Sequence, residues 1–238
     1  GWRGTMWGLA SVTMAVALLV LALVRNPPSA VHSTKGSLLD LLRMKPLWPV
    51  MVMMAVCYAP SAGLRGLWVG PYYSDVFAAD AAQIGTVTLM MGLAMVAGNF
   101  AYGPLDRLLG SRKWVVFGGN FIMAAAITAL GAMQQSGGTA TVGLIMAVGL
   151  CGASYPMVMA HGRAFLPAHL LGRGVTLLNL FAIGFAGLMQ IGTGRIHARF
   201  ALDSDMANAA PFSALFLFYG LVTFAGLAVY LLSRDRTD

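Results

Sequence analysis

Seven long stretches of this chain carry almost no charged side chains. Each has about the 20 mostly apolar residues that a helix needs to cross the hydrocarbon core of a bilayer. The alternating segments of about ten residues that build a transmembrane β-barrel do not occur. The sequence therefore predicts an all-α, polytopic transmembrane helix bundle. Its seven predicted spans cover residues 5–24, 47–73, 82–102, 114–133, 139–160, 175–196 and 211–232.

The composition indicates that lipid is the main solvent of these side chains. Hydrophobic residues make up 58% of the chain and charged residues 10%, against roughly 25% charged in a soluble domain. The net charge of +7 comes mostly from Lys and Arg in short connections, and no basic stripe with interleaved aromatic residues occurs. The lipid bilayer is therefore an expected partner, and nucleic acid is not.

The sequence offers no pattern for catalysis or metal binding. Cys57 and Cys151 lie singly in apolar stretches, where packing explains them. No His-Glu-x-x-His sequence and no nucleophile beside a base occurs. We predict no enzyme activity, no cofactor and no metal site.

Carboxylates are missing from the predicted spans. The chain has no Glu, and every Asp lies in or beside a connection, so none is available deep in a span to carry a proton. His161 and His169 accompany Arg163 and Arg173. We interpret both histidines as loop residues and not as a proton relay.

The Lys and Arg residues predict the orientation of the chain. They concentrate in alternate connections, which by the positive-inside rule are cytoplasmic. These residues are Arg25, Lys35, Arg43 and Lys45, then Arg107, Arg112 and Lys113, then Arg163 and Arg173, and finally Arg234 and Arg236. The other side carries Arg3, Arg195 and Arg199. We predict a multi-pass protein of the cell inner (plasma) membrane with a cytoplasmic C-terminus.

The connection after the first predicted span is the longest. It contains Pro27 and Pro28 and an amphipathic stretch at 37–44 that can lie at the membrane interface. Such a segment is typical of a linker between two bundles. We expect residues 1–24 to be the last helix of an N-terminal bundle whose other helices lie upstream. Residues 25–46 would be a cytoplasmic inter-bundle loop, and residues 47–238 a C-terminal six-helix transmembrane bundle.

Residues 103–113 form the most specific motif, which reads Gly-Pro-Leu-Asp-Arg-Leu-Leu-Gly-Ser-Arg-Lys. Gly103 and Gly110 suit a tight turn between two helices. Asp106 can pair with Arg107 or Arg112, or it can cap a helix. A basic connection with a turn and no further role would also explain the motif.

This motif resembles the loop that recurs after the second and eighth of the twelve helices in the major facilitator superfamily. It departs from the commonest form at Tyr102, where that form has Gly. Residues 1–3 and 68–72, Gly-Trp-Arg and Trp-Val-Gly-Pro-Tyr, are also similar to the second half of that family. The resemblance implies a fold of the major facilitator type, with helices six to twelve present here. It implies that a charged latch helps to keep the cytoplasmic side closed, formed by Gly103, Asp106, Arg107, Gly110 and Arg112.

The second predicted span carries a polar and aromatic stripe. Tyr58, Ser61, Arg65, Trp68 and Tyr72 follow one another at three or four residues, which places them on one face of a helix. An Arg within a span is costly unless it faces the bundle or a watery cavity. We interpret the stripe as a candidate substrate-binding face. The aromatic residues could instead be interfacial, and Arg65 could snorkel outward or pair with a carbonyl.

The sixth predicted span adds Asn179, Gln190 and Thr193 on one face. These side chains could bind a solute or bond a neighbouring helix.

Prolines and glycines predict weak points in two spans. The second span should bend easily in its outer half, because it contains Pro60, Gly63, Gly66, Gly70 and Pro71. The fifth should have a similar weak point at Pro156, which two glycines precede.

Together these features predict a secondary active transporter that moves a small solute by alternating access. An anionic solute is a candidate because Arg65 presents a fork of donors. The alternative is a seven-helix membrane receptor or signalling protein. A retinal photoreceptor needs a lysine in its last span to form the Schiff base with retinal. It fits poorly here, because Lys35, Lys45 and Lys113 all lie outside the predicted spans.

Overall fold

The structure is a computed structural model that describes residues 1–25, 37–133, 138–201 and 209–237. Within these residues the regular structure is helical and contains no strand. Seven helical segments are long and apolar enough to cross a membrane, as the sequence predicted. They are span 1, Trp2–Leu23; span 2, Lys45–Phe77; span 3, Ala81–Leu109; span 4, Arg112–Ala132; span 5, Gly138–Arg163; span 6, Ala168–Ala201; and span 7, Ala210–Tyr230. They indicate a multi-pass membrane protein.

The chain divides into two compact units, Gly1–Lys35 and Gly36–Asp238. The described part of the first unit is span 1 with the one residue before it and the two residues after it, and within that span the Ser11 and Thr13 hydroxyls donate to the carbonyls of Trp7 and Leu9. Bonds of this kind satisfy polar side chains within an apolar helix. Residues 26–36 of the predicted inter-bundle loop lie outside the described residues.

The predicted amphipathic stretch at 37–44 forms a short helix, Leu38–Leu42. Ser37 begins it with reciprocal bonds, since its hydroxyl accepts from the Leu39 N–H at 3.2 Å and its own N–H donates to the Asp40 carboxylate at 2.8 Å. Leu41 is fully buried, and the Trp48 indole donates to the Leu42 carbonyl at 2.9 Å. The helix is therefore packed onto the start of span 2.

Spans 2 to 7 pack into the larger unit, with small residues at close crossings. A Cβ on Gly98 of span 3 would meet the carbonyl oxygen of Leu150, and one on Gly149 of span 5 would lie 2.8 Å from the carbonyl oxygen of Met91. The backbones of spans 3 and 5 thus approach each other closely, which small residues spaced four apart on a helix allow. Tyr102 adds a buried bond between these spans, because its hydroxyl donates to the Cys151 carbonyl at 2.6 Å.

Two spans are interrupted. Span 2 is composed of the 3-10 helix Lys45–Leu47, the α-helices Trp48–Cys57 and Ala59–Gly63, the π-helix Leu64–Trp68 and the α-helix Val69–Phe77. Span 5 is composed of Gly138–Gly152 and Tyr155–Arg163, whereas span 6 is a 3-10 helix Ala168–Leu170 that leads directly into Leu171–Ala201. Pro60 and Pro156 follow the breaks in spans 2 and 5, and each lacks a backbone donor. The structure therefore interrupts both spans beside the prolines from which the sequence predicted weak points, and the ease of bending stays a prediction.

The predicted loop at 103–113 is mostly helix, which corrects one expectation. Span 3 continues to Leu109 with Gly103 and Pro104 inside it, and span 4 begins at Arg112. The turn is therefore limited to Gly110 and Ser111. Gly110 has φ +59°, a left-handed conformation that favours glycine at a helix end. The prediction that Gly103 forms the turn was wrong, because a helix that extends past the apolar core tolerates Gly and Pro among exposed residues.

Candidate functional site

A partly exposed polar surface lies where the broken helices of the larger unit meet. Tyr58 stands at the break in span 2 and Tyr155 at the break in span 5, and their ring centroids are 5.9 Å apart. The Tyr155 hydroxyl donates to the side-chain oxygen of Asn179 on span 6 at 2.7 Å. We call these three residues the Tyr–Asn face. Three spans therefore contribute polar groups to one surface that the bundle itself leaves uncovered.

Buried polar groups hold the helices behind this face. A Cβ on Gly152 would lie 2.6 Å from the Ser61 Cβ, so spans 2 and 5 are in close contact beside their breaks. Asn120 of span 4 donates to the Ser154 hydroxyl at 3.0 Å and to the Val116 carbonyl at 2.8 Å. These contacts fix the backbone that carries Tyr58 and Tyr155.

The structure divides the predicted stripe on span 2. Ser61 is fully buried and its hydroxyl donates to the Tyr58 carbonyl at 3.1 Å, whereas Arg65 is exposed and Tyr58 partly exposed. A π-turn adds one residue to the helical turn, which at 3.6 residues per turn rotates the remainder of the helix by about 100°. The expectation of a single continuous face was therefore wrong, because it assumed α-helical periodicity throughout.

Trp68 and Tyr72 lie at the end of the π-helix and just beyond it, and both point into the bundle. The Trp68 indole donates to the Thr193 hydroxyl of span 6 at 3.1 Å. The Tyr72 ring contacts Phe212 and Phe216 of span 7, with centroids 5.4 Å and 5.2 Å away. These aromatic residues hold the outer half of span 2 against spans 6 and 7, so in this conformation they are packing residues.

The polar residues of span 6 have different surroundings. Asn179 bonds a neighbouring helix through Tyr155, and Thr193 does the same through Trp68. Gln190 is exposed. The sequence left solute binding and helix bonding open for this span, and the structure shows helix bonding for two of the three residues.

Asp106 pairs with Arg112 across the short turn between spans 3 and 4. The Arg112 Nε lies 3.2 Å from the Asp106 Oδ2, and each side chain is 20% exposed. The second carboxylate oxygen of Asp106 is buried without a partner among the described residues. Of the pairings that the sequence allowed, the structure selects Arg112, while Arg107 lies exposed.

The segment after span 7 covers the ends of spans 4 and 5. Lys113 donates to the carbonyls of Leu231 and Ser233 at 2.7 Å and 2.8 Å, and its N–H donates to Asp235 at 3.0 Å. Partial burial disfavours the charge of Asp235, but hydrogen bonds from the Ser111 side chain and the Lys113 N–H, together with nearby positive charge, outweigh it and lower the pKa of Asp235. The segment is thus fixed by charge-assisted bonds.

His161 belongs to this covered region. It lies within the helix Tyr155–Arg163 and is fully buried, so its interpretation as a loop residue was wrong. Its ring nitrogens lie 2.7 Å from the Tyr230 hydroxyl and 3.0 Å from the Arg234 carbonyl. Because a carbonyl only accepts, Nε2 carries the proton and the imidazole bridges span 5 to the end of span 7.

Most basic residues of the larger unit lie at this end of the bundle, as the loop charges predicted. We define the basic end by Arg43, Lys45, Arg107, Arg112, Lys113, Arg163, Arg173, Arg234 and Arg236. The opposite end carries Arg195 and Arg199 together with Asp75 and Asp80. Which end is cytoplasmic stays a prediction.

A separate cavity of about 650 Å³ lies at the opposite end, between spans 2, 3 and 5. Its lining is mostly apolar and includes none of the residues that the sequence proposed for a solute. Among the described residues, no cluster of three His, Cys, Asp or Glu side chains could hold a metal ion. Comparison of the chain with models of protein families and with curated protein sequences gave no match.

Proposed function

We propose that this chain is part of a secondary active transporter of the major facilitator type, which moves a small solute across the membrane by alternating access. The observation that carries the proposal is the Tyr–Asn face. Tyr58, Tyr155 and Asn179 present polar groups on apolar spans, and burying such groups against hydrocarbon is unfavourable. A water-filled cavity is the surrounding that suits them.

The breaks in spans 2 and 5 support the same function. Both lie at the Tyr–Asn face, and discontinuous helices near the membrane midplane are typical of transporter binding sites. A broken helix can change the direction of one half while the other half stays packed. Span 2 combines a break with a π-helix, an element found often at functional sites.

The chemistry of this surface favours a solute that can both stack and form hydrogen bonds. Tyr58 and Tyr155 offer ring faces and hydroxyl groups, and Asn179 adds an amide. Arg65 lies farther along span 2 and is exposed. Its guanidinium would pair with an anionic group on the solute, because its donors match a carboxylate or phosphate in a bidentate way.

A second bundle would complete the cavity over the Tyr–Asn face. If the resemblance to the major facilitator superfamily holds, that bundle would lie upstream and residues 1–24 would be its last helix. The Asp106–Arg112 pair, with Gly103, Arg107 and Gly110 nearby in sequence, would then act as the cytoplasmic latch between two transport states.

Uptake into vesicles tests the proposal. The full-length protein, with the upstream bundle that the proposal requires, would be reconstituted in liposomes and offered a panel of labelled small anions and neutral metabolites, with and without proton or sodium gradients. We expect concentrative uptake of at least one solute, and we expect Asn179→Ala to reduce it strongly. Leu180→Ala is the matched control, because Leu180 is the next residue of span 6 and 64% exposed.

Two results would contradict the proposal. Binding of a solute without any uptake would favour the receptor alternative. Equal uptake by the Asn179 and Leu180 variants would show that the Tyr–Asn face does not take part in transport.

A further inference from the structure

A cavity at the basic end is lined by two arginines from different spans. Its volume is about 320 Å³, and its lining consists of Arg112, Ala160, Arg163, Ala164 and Leu171. Arg112 begins span 4 and Arg163 ends span 5. The ends of three successive spans thus line one space with two arginine and three apolar side chains.

The charge in this cavity is only partly neutralised. Asp106 pairs with the Nε of Arg112 at 3.2 Å, which leaves the terminal nitrogens of that guanidinium free of partners among the described residues. Arg163 is exposed and makes no ion pair within the described part of the chain. A third guanidinium approaches, because Arg236 donates to the Ala164 carbonyl at 2.9 Å. The cavity therefore has a positive potential that an anion would balance.

The position of the cavity indicates the kind of anion. Trp114 is 55% exposed just beyond Arg112, and an exposed Trp at the end of a span is typical of the lipid headgroup region. Leu108 and Leu109 at the end of span 3 are also exposed. The cavity lies at the same level as these side chains, with apolar residues beside its arginines. A molecule that joins a phosphate to hydrocarbon chains fits both kinds of lining.

We infer that Arg112 and Arg163 bind the phosphate of an anionic phospholipid headgroup in this cavity. The arginines match phosphate oxygens in bidentate fashion, and basic pockets between membrane helices are known to hold such headgroups. Ala160, Ala164 and Leu171 contact the start of the acyl region. Arg163 contributes the net charge, since Asp106 balances Arg112. This site is independent of the solute site, which lies at the breaks of spans 2 and 5.

Lipid-dependent thermal stability tests the inference. The purified full chain in detergent would be titrated with phosphatidylglycerol, with phosphatidylcholine or with inorganic phosphate. We expect phosphatidylglycerol to raise the Tm most and to saturate. Arg163→Gln should weaken the apparent affinity for phosphatidylglycerol about fivefold, as removal of one basic residue near a membrane surface predicts. Arg163→Lys should weaken this affinity less, because the positive charge is kept, but it should still weaken it, because a lysine cannot bind phosphate in a bidentate way.

Arg173→Gln is the matched control. Arg173 is exposed at the basic end, close in sequence to Arg163, but it does not line the cavity, so its loss should leave the affinity nearly unchanged. Equal stabilisation by phosphatidylcholine, or equal effects of the Arg163 and Arg173 variants, would overturn the inference. Stabilisation by inorganic phosphate alone, as strong as that by phosphatidylglycerol, would show a site for soluble anions and overturn the lipid assignment.

Discussion

At the residue scale, Tyr155 shows what periodicity alone overlooks. It is the only tyrosine in span 5 and has no polar partner at helical spacing, so no stripe on that span pointed to it. Its contacts with Tyr58 and Asn179 depend on the break after Gly152 and on the packing of three helices. The signal that could have found it is the sequence Ser-Tyr-Pro directly after a helix break.

Arg65 gives the first prediction. It is exposed and no hydrogen bond or ion pair within the described residues holds it. Arg65→Ala should therefore leave the Tm nearly unchanged while it weakens binding of an anionic solute by roughly tenfold or more, the loss expected for a charged hydrogen bond. The affinity of Arg65→Lys for this solute should lie between those of the unaltered chain and Arg65→Ala, because a lysine keeps the charge but lacks the forked set of donors.

Thermal stability and solute affinity would be measured on the same purified variants. Leu67→Ala is the control, since Leu67 is exposed nearby on the π-helix. A folded Arg65→Ala protein with the affinity of the unaltered chain would exclude Arg65 from solute contact. A fall in Tm that accounts for the weaker binding would instead show a structural role.

At the element scale, the number and rough limits of the helices could be predicted from apolar length, because bilayer thickness fixes how long a span must be. Which residues of span 2 face the bundle could not be predicted in this way. The π-helix Leu64–Trp68 depends on how Trp68 and Tyr72 pack against spans 6 and 7, and such long-range contacts leave no periodic trace in a single sequence.

The crossing of spans 2 and 5 gives the second prediction. Gly152→Ala places a methyl group 2.6 Å from the Ser61 Cβ, and overpacking of this kind typically costs about 1–3 kcal/mol. We expect a lower Tm, and we expect the additional change Ser61→Gly to restore part of it by removing the opposing side chain. Unfolding of detergent-solubilised protein measures both effects.

Gly143→Ala is the control for this experiment. Gly143 also lies in span 5, but a Cβ there meets nothing within 4 Å, so the change should be neutral or slightly stabilising. Equal destabilisation at both positions would show that helix flexibility, and not the contact with Ser61, explains the effect.

The Asp106–Arg112 pair gives the third prediction. Asp106→Asn should reduce transport strongly while membrane insertion and solute affinity stay nearly unchanged, because the pair would act on the balance between two transport states and not on binding. Uptake rates and equilibrium binding would be measured on the variant and on Arg112→Gln. Parallel loss of expression, binding and uptake would favour a purely structural role for the pair.

At the scale of the whole molecule, loop charges predicted the grouping of basic residues, but they did not predict how that end is covered. His161 and Lys113 bond to residues 230–235, which are about 70 and 120 positions farther along the chain. The buried state of His161 therefore depends on tertiary contacts that no local pattern encodes.

Membrane topology gives the fourth prediction. Cys57 and Cys151 would be replaced, and single cysteines placed at Ala82 or at Gly172, which lie exposed at opposite ends of the bundle. An impermeant thiol reagent added to intact cells should label the cysteine at 82 and spare the one at 172, because the basic end is predicted to be cytoplasmic. Labelling at 172 alone would invert the orientation, and permeabilised cells, in which both react, are the control.

The bonds between residues 231–236 and the ends of spans 4 and 5 also set an order of biosynthesis. This segment leaves the ribosome after all seven spans, so Lys113 and His161 must wait for their partners while the earlier helices are already in the membrane. Until then the buried face of His161 lies open. A nascent chain halted before Leu231 would thus be fully inserted yet unfinished, and quality-control proteases could distinguish it from the mature protein by its open end.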